Sequence, residues 1–240
     1  MKGDDETRLL AQKWIIQQAY HSTERAFAPI AFPETMEPFI QVDVGANEQD
    51  EFFFINTMTH CVLPYALEHV SDALWVTERR FLKYHRDGIL PTTNELKAIL
   101  SETLCYGREV DLSVLRVNIT KNSLRGQIRD HDRTTIIFRT IVHDEAFPLE
   151  DNNSTVNLKE WMVADRLGPS LTRLRTFYTM NHPATDHGYI PMELLATEFN
   201  IPRDGYMNQR VRDHLRASHS RQRETFYEHL TKMLHLIASM

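Results

Sequence analysis

The densest cluster of chemically capable side chains is Asn181-His182-Pro183-Ala184-Thr185-Asp186-His187-Gly188. Histidine titrates near neutral pH, so His182 is the candidate general base, with His187 a second imidazole close by. Asn181 can donate to a developing oxyanion, and Asp186 can orient an imidazole. Arg173 and Arg175, just upstream, are candidates to hold an anionic substrate group. The competing reading of the loop is a polar turn in which Asn, Asp and Gly serve backbone geometry.

A second set lies near the C-terminus. Arg210, Arg212, Arg216, Arg221 and Arg223 are interleaved with Tyr206, Phe226 and Tyr227. Arginines on adjacent helical turns can track phosphates, so residues 203–232 admit a nucleic-acid or regulatory reading. An exposed, charge-mixed helix is the alternative. Arg223 and His229 have a spacing similar to the Arg/His pair of HEPN ribonucleases, and residues 87–95 resemble the entry to a helix-turn-helix. His131-Asp132 and His143-Asp144 are similar to the doublet of HD-type phosphohydrolases, which needs further His and Asp on neighbouring helices. No His-Glu-x-x-His pattern occurs, and no metal site is expected.

One stretch resembles a known family. Val156-Asn157-Leu158-Lys159-Glu160-Trp161-Met162, followed by residues 174–183, is similar to the C-terminal part of the WcbI-type polysaccharide-biosynthesis proteins, which are acetyltransferases that bind coenzyme A. The resemblance implies a hydrolase-like α/β fold, acyl transfer from acyl-CoA to a sugar, His182 as the acid/base and Asn181 as its neighbour. The Gly-Asn-Cys-Gln turn that opens the family has no counterpart here, where Cys61 sits in Thr59-His60-Cys61-Val62. A third reading is a non-enzymatic interaction protein whose helices pair with a partner through the Phe226, Leu230 and Ile237 stripe.

The elements that must position these groups follow from periodicity. Apolar spacing predicts a helix over 5–27, ended by Pro29 and Pro33, and another from Pro64 to about 86, ended at Asp87-Gly88. Thr92-x-x-Glu95 reads as a capping box opening a helix to 104, and Asn157 as the cap of a helix over 158–167. Alternation predicts strands over 39–44 and 110–119, the latter irregular near Leu115. Residues 134–142, rich in β-branched side chains, are the most strand-like of all, and 175–180 make another strand. The run 52–55 fits either strand or buried helix. Helices are expected over 192–199, 208–217 and 221–237, with the stripes containing Trp75 and Phe226 in the core.

The expected fold is therefore helix-rich α/β or α+β. A small central sheet from residues 110–180 is flanked by N- and C-terminal helices, in one domain over 1–240 with a soft boundary near Gly107. Only 8 glycines occur in 240 residues, with no Gly-rich phosphate loop, which argues against Rossmann and P-loop nucleotide sites. The net charge of −6 argues against capture of nucleic acid by the whole surface. No signal peptide or apolar run of membrane-spanning length is visible, so a soluble, cytoplasmic protein is expected. Cys61 and Cys105 are expected to be small buried hydrophobes rather than a disulfide framework.

Overall fold

The β-branched run at 134–142 does form a strand, but among the described residues it is one of eight in a single sheet. The computed structural model describes residues 3–84, 92–111, 118–150 and 153–239, with the backbone alone for 80–84, 92–100 and 111. The strands are β1 (Phe39–Ala46), β2 (Phe53–Leu63), β3 (Thr92–Ser101), β4 (Leu104–Asp111), β5 (Ile119–Arg129), β6 (Arg133–Thr140), β7 (Leu158–Gly168) and β8 (Leu171–Asn181). They are ordered β1-β2-β8-β7-β6-β5-β4-β3, and every pair is antiparallel. A two-residue hairpin, β9 (Ala184–Thr185) and β10 (Gly188–Tyr189), follows β8.

Helices cover both faces. α3 (Leu67–Tyr84) carries the chain from β2 to the far edge of the sheet, and α5 (Met207–Ala238) packs beside it on the same face. α1 (Asp5–His21) lies on the opposite face against β5 and β6, with α2 (Thr23–Phe27) next to it; α4 (Met192–Glu198) supports α5. On the α5 side, Leu74, Met162, Leu174, Phe226, Leu230 and Leu234 form one core cluster. Ile55, Phe138, Leu158, Tyr178 and Val211 form a second. On the α1 side the core is built on Ile16, Tyr106, Leu124, Ile137 and Trp161. Both cysteines are free and buried, and the Trp75 and Phe226 stripes are core.

The α+β expectation holds, but the sheet is large rather than small, and it draws on residues 39–63 and 92–111 as well as the later ones. Residues 158–167 are β7, not a helix. Its two sides are both covered, so it lacks the polar/apolar alternation that marks a half-exposed strand. Thr92 and Glu95 lie in edge strand β3, not at a helix start. Gly107 lies within β4, opposite Leu96 and Ser123. The two expected C-terminal helices are one, and the first expected helix is two, parted at Ser22. The expected stop at Asp87-Gly88 and the irregularity near Leu115 lie outside the described residues.

Candidate functional site

Directly opposed residues of neighbouring antiparallel strands share a face. One such row crosses the α5 face of the sheet: Thr57, Tyr178, Glu160, Phe138, Arg125 and Cys105, one each from β2, β8, β7, β6, β5 and β4. The helices above it contribute Arg223 from α5 and Glu78 from α3. Arg223 donates from Nη1 to Glu160 Oε1 at 2.6 Å and lies 5.0 Å over the Tyr178 ring. Arg125 donates to Glu78 at 3.0 Å, to Glu109 at 2.5 Å and to the Ser123 hydroxyl at 2.7 Å, with its guanidinium 4.4 Å over Phe138. All five charged side chains are buried.

The adjoining row is polar at its two ends, Thr59 with Thr176 and Gln127, with the apolar Met162 and Ile136 between them. The Thr59 hydroxyl lies 2.7 Å from that of Thr176 and also meets the Tyr227 hydroxyl, while Gln127 donates to the Ser71 carbonyl at 2.9 Å. Three carboxylates thus face two guanidiniums, with Lys121 3.7 Å from Glu109 at the margin. Burial pushes the Glu78 carboxyl up to about 7; Arg125 opposes the rise and the Glu160 charge adds to it. Burial likewise pushes the Cys61 thiol up to about 12 and the Tyr227 phenol well above its usual range, so neither is an acid at neutral pH. Arg223 Nε and the hydroxyls of Thr57 and Thr77 have no partner among the described residues. Buried ion pairs are seldom more stabilising than apolar replacements of the same volume. A sheet face this polar, flanked by two apolar clusters, is therefore suited to receive a polar group along with an apolar body.

The sequence-predicted residues lie elsewhere. His182 is buried, and its ring is committed to backbone. Nδ1 accepts from the Phe53 N–H at 3.2 Å, Nε2 donates to the Ile190 carbonyl at 2.6 Å, and burial holds the imidazole neutral. With His182 N–H on the Phe53 carbonyl at 3.0 Å, the side chain extends the β2–β8 ladder by one step. Asn181, Asp186 and His187 are exposed, the last two on the turn between β9 and β10. Arg173 and Arg175 point to the α1 face, where Arg133, Arg173 and Arg175 all meet Asp165.

Asp144 of the second His-Asp doublet is held by Arg8 at 2.6 and 3.0 Å and by Tyr106, while Asp132 of the first is exposed and paired with Arg166. Among the described residues no group of His, Cys, Asp and Glu is arranged to hold a metal ion. The polar row itself was missed: nothing in the sequence singles out Glu78, Glu109, Arg125 or Glu160 as buried.

No protein-family model and no curated protein sequence matches the chain. Solved structures do. Human STARD10 superposes with a TM-score of 0.54 at 13% identity, over 97% of this chain and 81% of that one. Human StAR-related lipid transfer protein 5 superposes at 0.51 and 15% identity, over 95% and 99%. The Zhui aromatase/cyclase of Streptomyces sp. R1128 aligns at 0.43 and 15% identity, over 75% and 93%.

The chain shares the fold of these first two proteins; in this chain it is an antiparallel sheet packed by a long C-terminal helix. This corrects the resemblance to WcbI-type acetyltransferases and the hydrolase-like fold, acyl transfer and coenzyme A that came with it. The nucleic-acid reading falls too. Arg223 is inside the core with Glu160, which also removes the HEPN-type pair. Arg210, Arg212 and Arg216 are engaged by Asp204, Asp50 and Asp213. The stripe offered to a partner helix is spent within the chain, since Phe226, Leu230 and Leu234 are fully buried against the sheet and α3. Among the described residues no helix is long and apolar enough to cross a membrane.

Proposed function

We propose that the chain holds one small amphipathic molecule of lipid type between the α5 face of the sheet and helices α3 and α5. The observation that carries this reading is the buried charged row, in which Arg223 keeps an unpartnered Nε and Thr57 an unpartnered hydroxyl. A ligand's polar group completes those bonds. Its apolar body lies against the clusters on either side, around Phe226 and Leu230 or around Ile55 and Leu158.

The shared fold supports the reading, because one of the proteins that has it is a lipid transfer protein by name. Native mass spectrometry of the full chain with oleate, lysophosphatidylcholine and cholesterol tests it. A one-to-one complex with at least one of them is expected. Absence of any complex at tens of micromolar ligand contradicts the proposal.

A further inference from the structure

The opposite face of the sheet holds a separate cavity of about 650 Å³, lying between α2, the segment that follows it and strands β2 and β8. Its size is within the ordinary range for small-molecule sites. Phe27, Phe32 and Leu167 give it apolar walls, and His60, Arg173 and Arg175 give it a polar floor. Strand register explains the floor: His60 is directly opposite Arg175, and Val62 is opposite Arg173.

The charges on this floor are incompletely matched. Arg133, Arg173 and Arg175 converge on the single carboxylate of Asp165, at 2.7, 3.2 and 2.7 Å. Glu24 relieves Arg133 alone, at 2.6 Å, and Glu34 lies exposed at the rim. The Arg175 guanidinium is fixed 5.5 Å from the Phe27 ring and 5.7 Å from the Phe32 ring. The Nε atoms of Arg173 and Arg175 are buried with no partner among the described residues, and so is Nδ1 of His60, a residue only 2% exposed.

Burial, reinforced by Arg173 and Arg175 and opposed by the backbone of Glu37, lowers the His60 imidazole from its ordinary value and keeps it neutral. A neutral imidazole carries one N–H and one acceptor nitrogen, and the unpartnered Nδ1 can serve as the acceptor. The floor therefore offers two cationic N–H donors and one acceptor.

We propose that this cavity is a second binding site, for a small molecule carrying a phosphate monoester on an apolar body. The singly protonated phosphate accepts from both arginines and donates its own O–H to His60 Nδ1. A carboxylate fills the acceptor role but has no proton to give. The site is independent of the α5-face reading, because it lies on the other side of the sheet and shares no residue with it.

Calorimetric titration of the full chain with octyl phosphate, octanoate and octanol tests the assignment, combined with amide chemical-shift mapping. Octyl phosphate is expected to bind at least about tenfold more tightly than octanoate, a margin set by one lost hydrogen bond, and octanol not to bind at this site. The shifts should gather on residues 58–62 and 173–175. Arg175→Gln should weaken octyl phosphate at least about tenfold. Val62→Trp, which fills the cavity and leaves both arginines in place, should abolish the shifts at 173–175 even if Arg175→Gln does not fold. No binding at millimolar octyl phosphate, shifts confined to residues 125, 160 and 178, or octanoate or octanol binding as tightly as octyl phosphate would overturn it.

Discussion

Replacing Arg223 with methionine leaves Glu160 as an unpaired carboxylate beneath α5. The two charges meet at 2.6 Å, and each side chain is 6% exposed. At an effective dielectric of about 20, an attraction between unit charges about 4 Å apart is roughly 4 kcal/mol. Its loss, with the desolvation of Glu160 uncompensated, puts the expected destabilisation of Arg223→Met at about 3–5 kcal/mol. Removing both charges has a different consequence. In Arg223→Met with Glu160→Leu, neither burial penalty remains, and stability should return to within about 1 kcal/mol of wild type or exceed it.

Equilibrium urea unfolding of the wild type, the two single variants and the double variant measures this as a thermodynamic cycle. A loss below about 1 kcal/mol in Arg223→Met would refute the reasoning. So would a double variant as unstable as the sum of the singles, because the two charges would then be energetically uncoupled.

Glu78 gives a pH signature. Its folded carboxyl is raised to about 7 from 4.5, chiefly by burial, so its contribution is full below about pH 4.5 and is lost as pH rises through about 7. Glu78→Gln should abolish that fall, worth about 3 kcal/mol, seen as the difference between wild-type and variant urea stabilities at acidic and alkaline pH.

Asp144 runs the other way. Burial opposes its charge, but the bonds from Arg8, Tyr106 and the Ala146 N–H hold it below the usual carboxylate range. The stability it provides is present above its unfolded value of 3.8 and is lost as pH falls through the lower folded value; Asp144→Asn should flatten that acid limb in a circular-dichroism titration. His182→Ala leaves the Phe53 N–H and the Ile190 carbonyl without their partner, and should cost about 2–4 kcal/mol in thermal or urea unfolding.

The sequence was most readable in α5, one face of which meets solvent, and in β6, which is buried on both sides but marked as a strand by its β-branched side chains. The α5 stripe of Phe226, Leu230 and Leu234 and the β-branched run in β6 both lie where expected. It was least readable in β7, where Lys159, Trp161 and Val163 lie against the α1 side while Glu160, Met162 and Ala164 lie against the α5 side. Cover on both sides erases the period-two signal, and a helix cap at Asn157 then looks the better reading. The polar row is hidden for a related reason. Ser123, Arg125 and Gln127 alternate in β5 as a solvent face would, and only the helices laid over them by long-range contacts turn that face inward.

The candidate loop misled because His182 is chemically capable wherever it stands. Its two bonds to backbone, invisible in the sequence, make it a structural pin. Arg173 and Arg175 were singled out for an anion, and their placement brings them to His60 rather than to His182. His60 carried no motif that could have marked it.

The most direct test of the α5-face site is equilibrium binding of the tightest lipid found by native mass spectrometry, compared between wild type and the Arg223→Met, Glu160→Leu double variant after both are shown to be folded. The account predicts at least about a tenfold loss of affinity in the double variant, the value of one or two charge-assisted hydrogen bonds. Unchanged affinity in a folded double variant would contradict it.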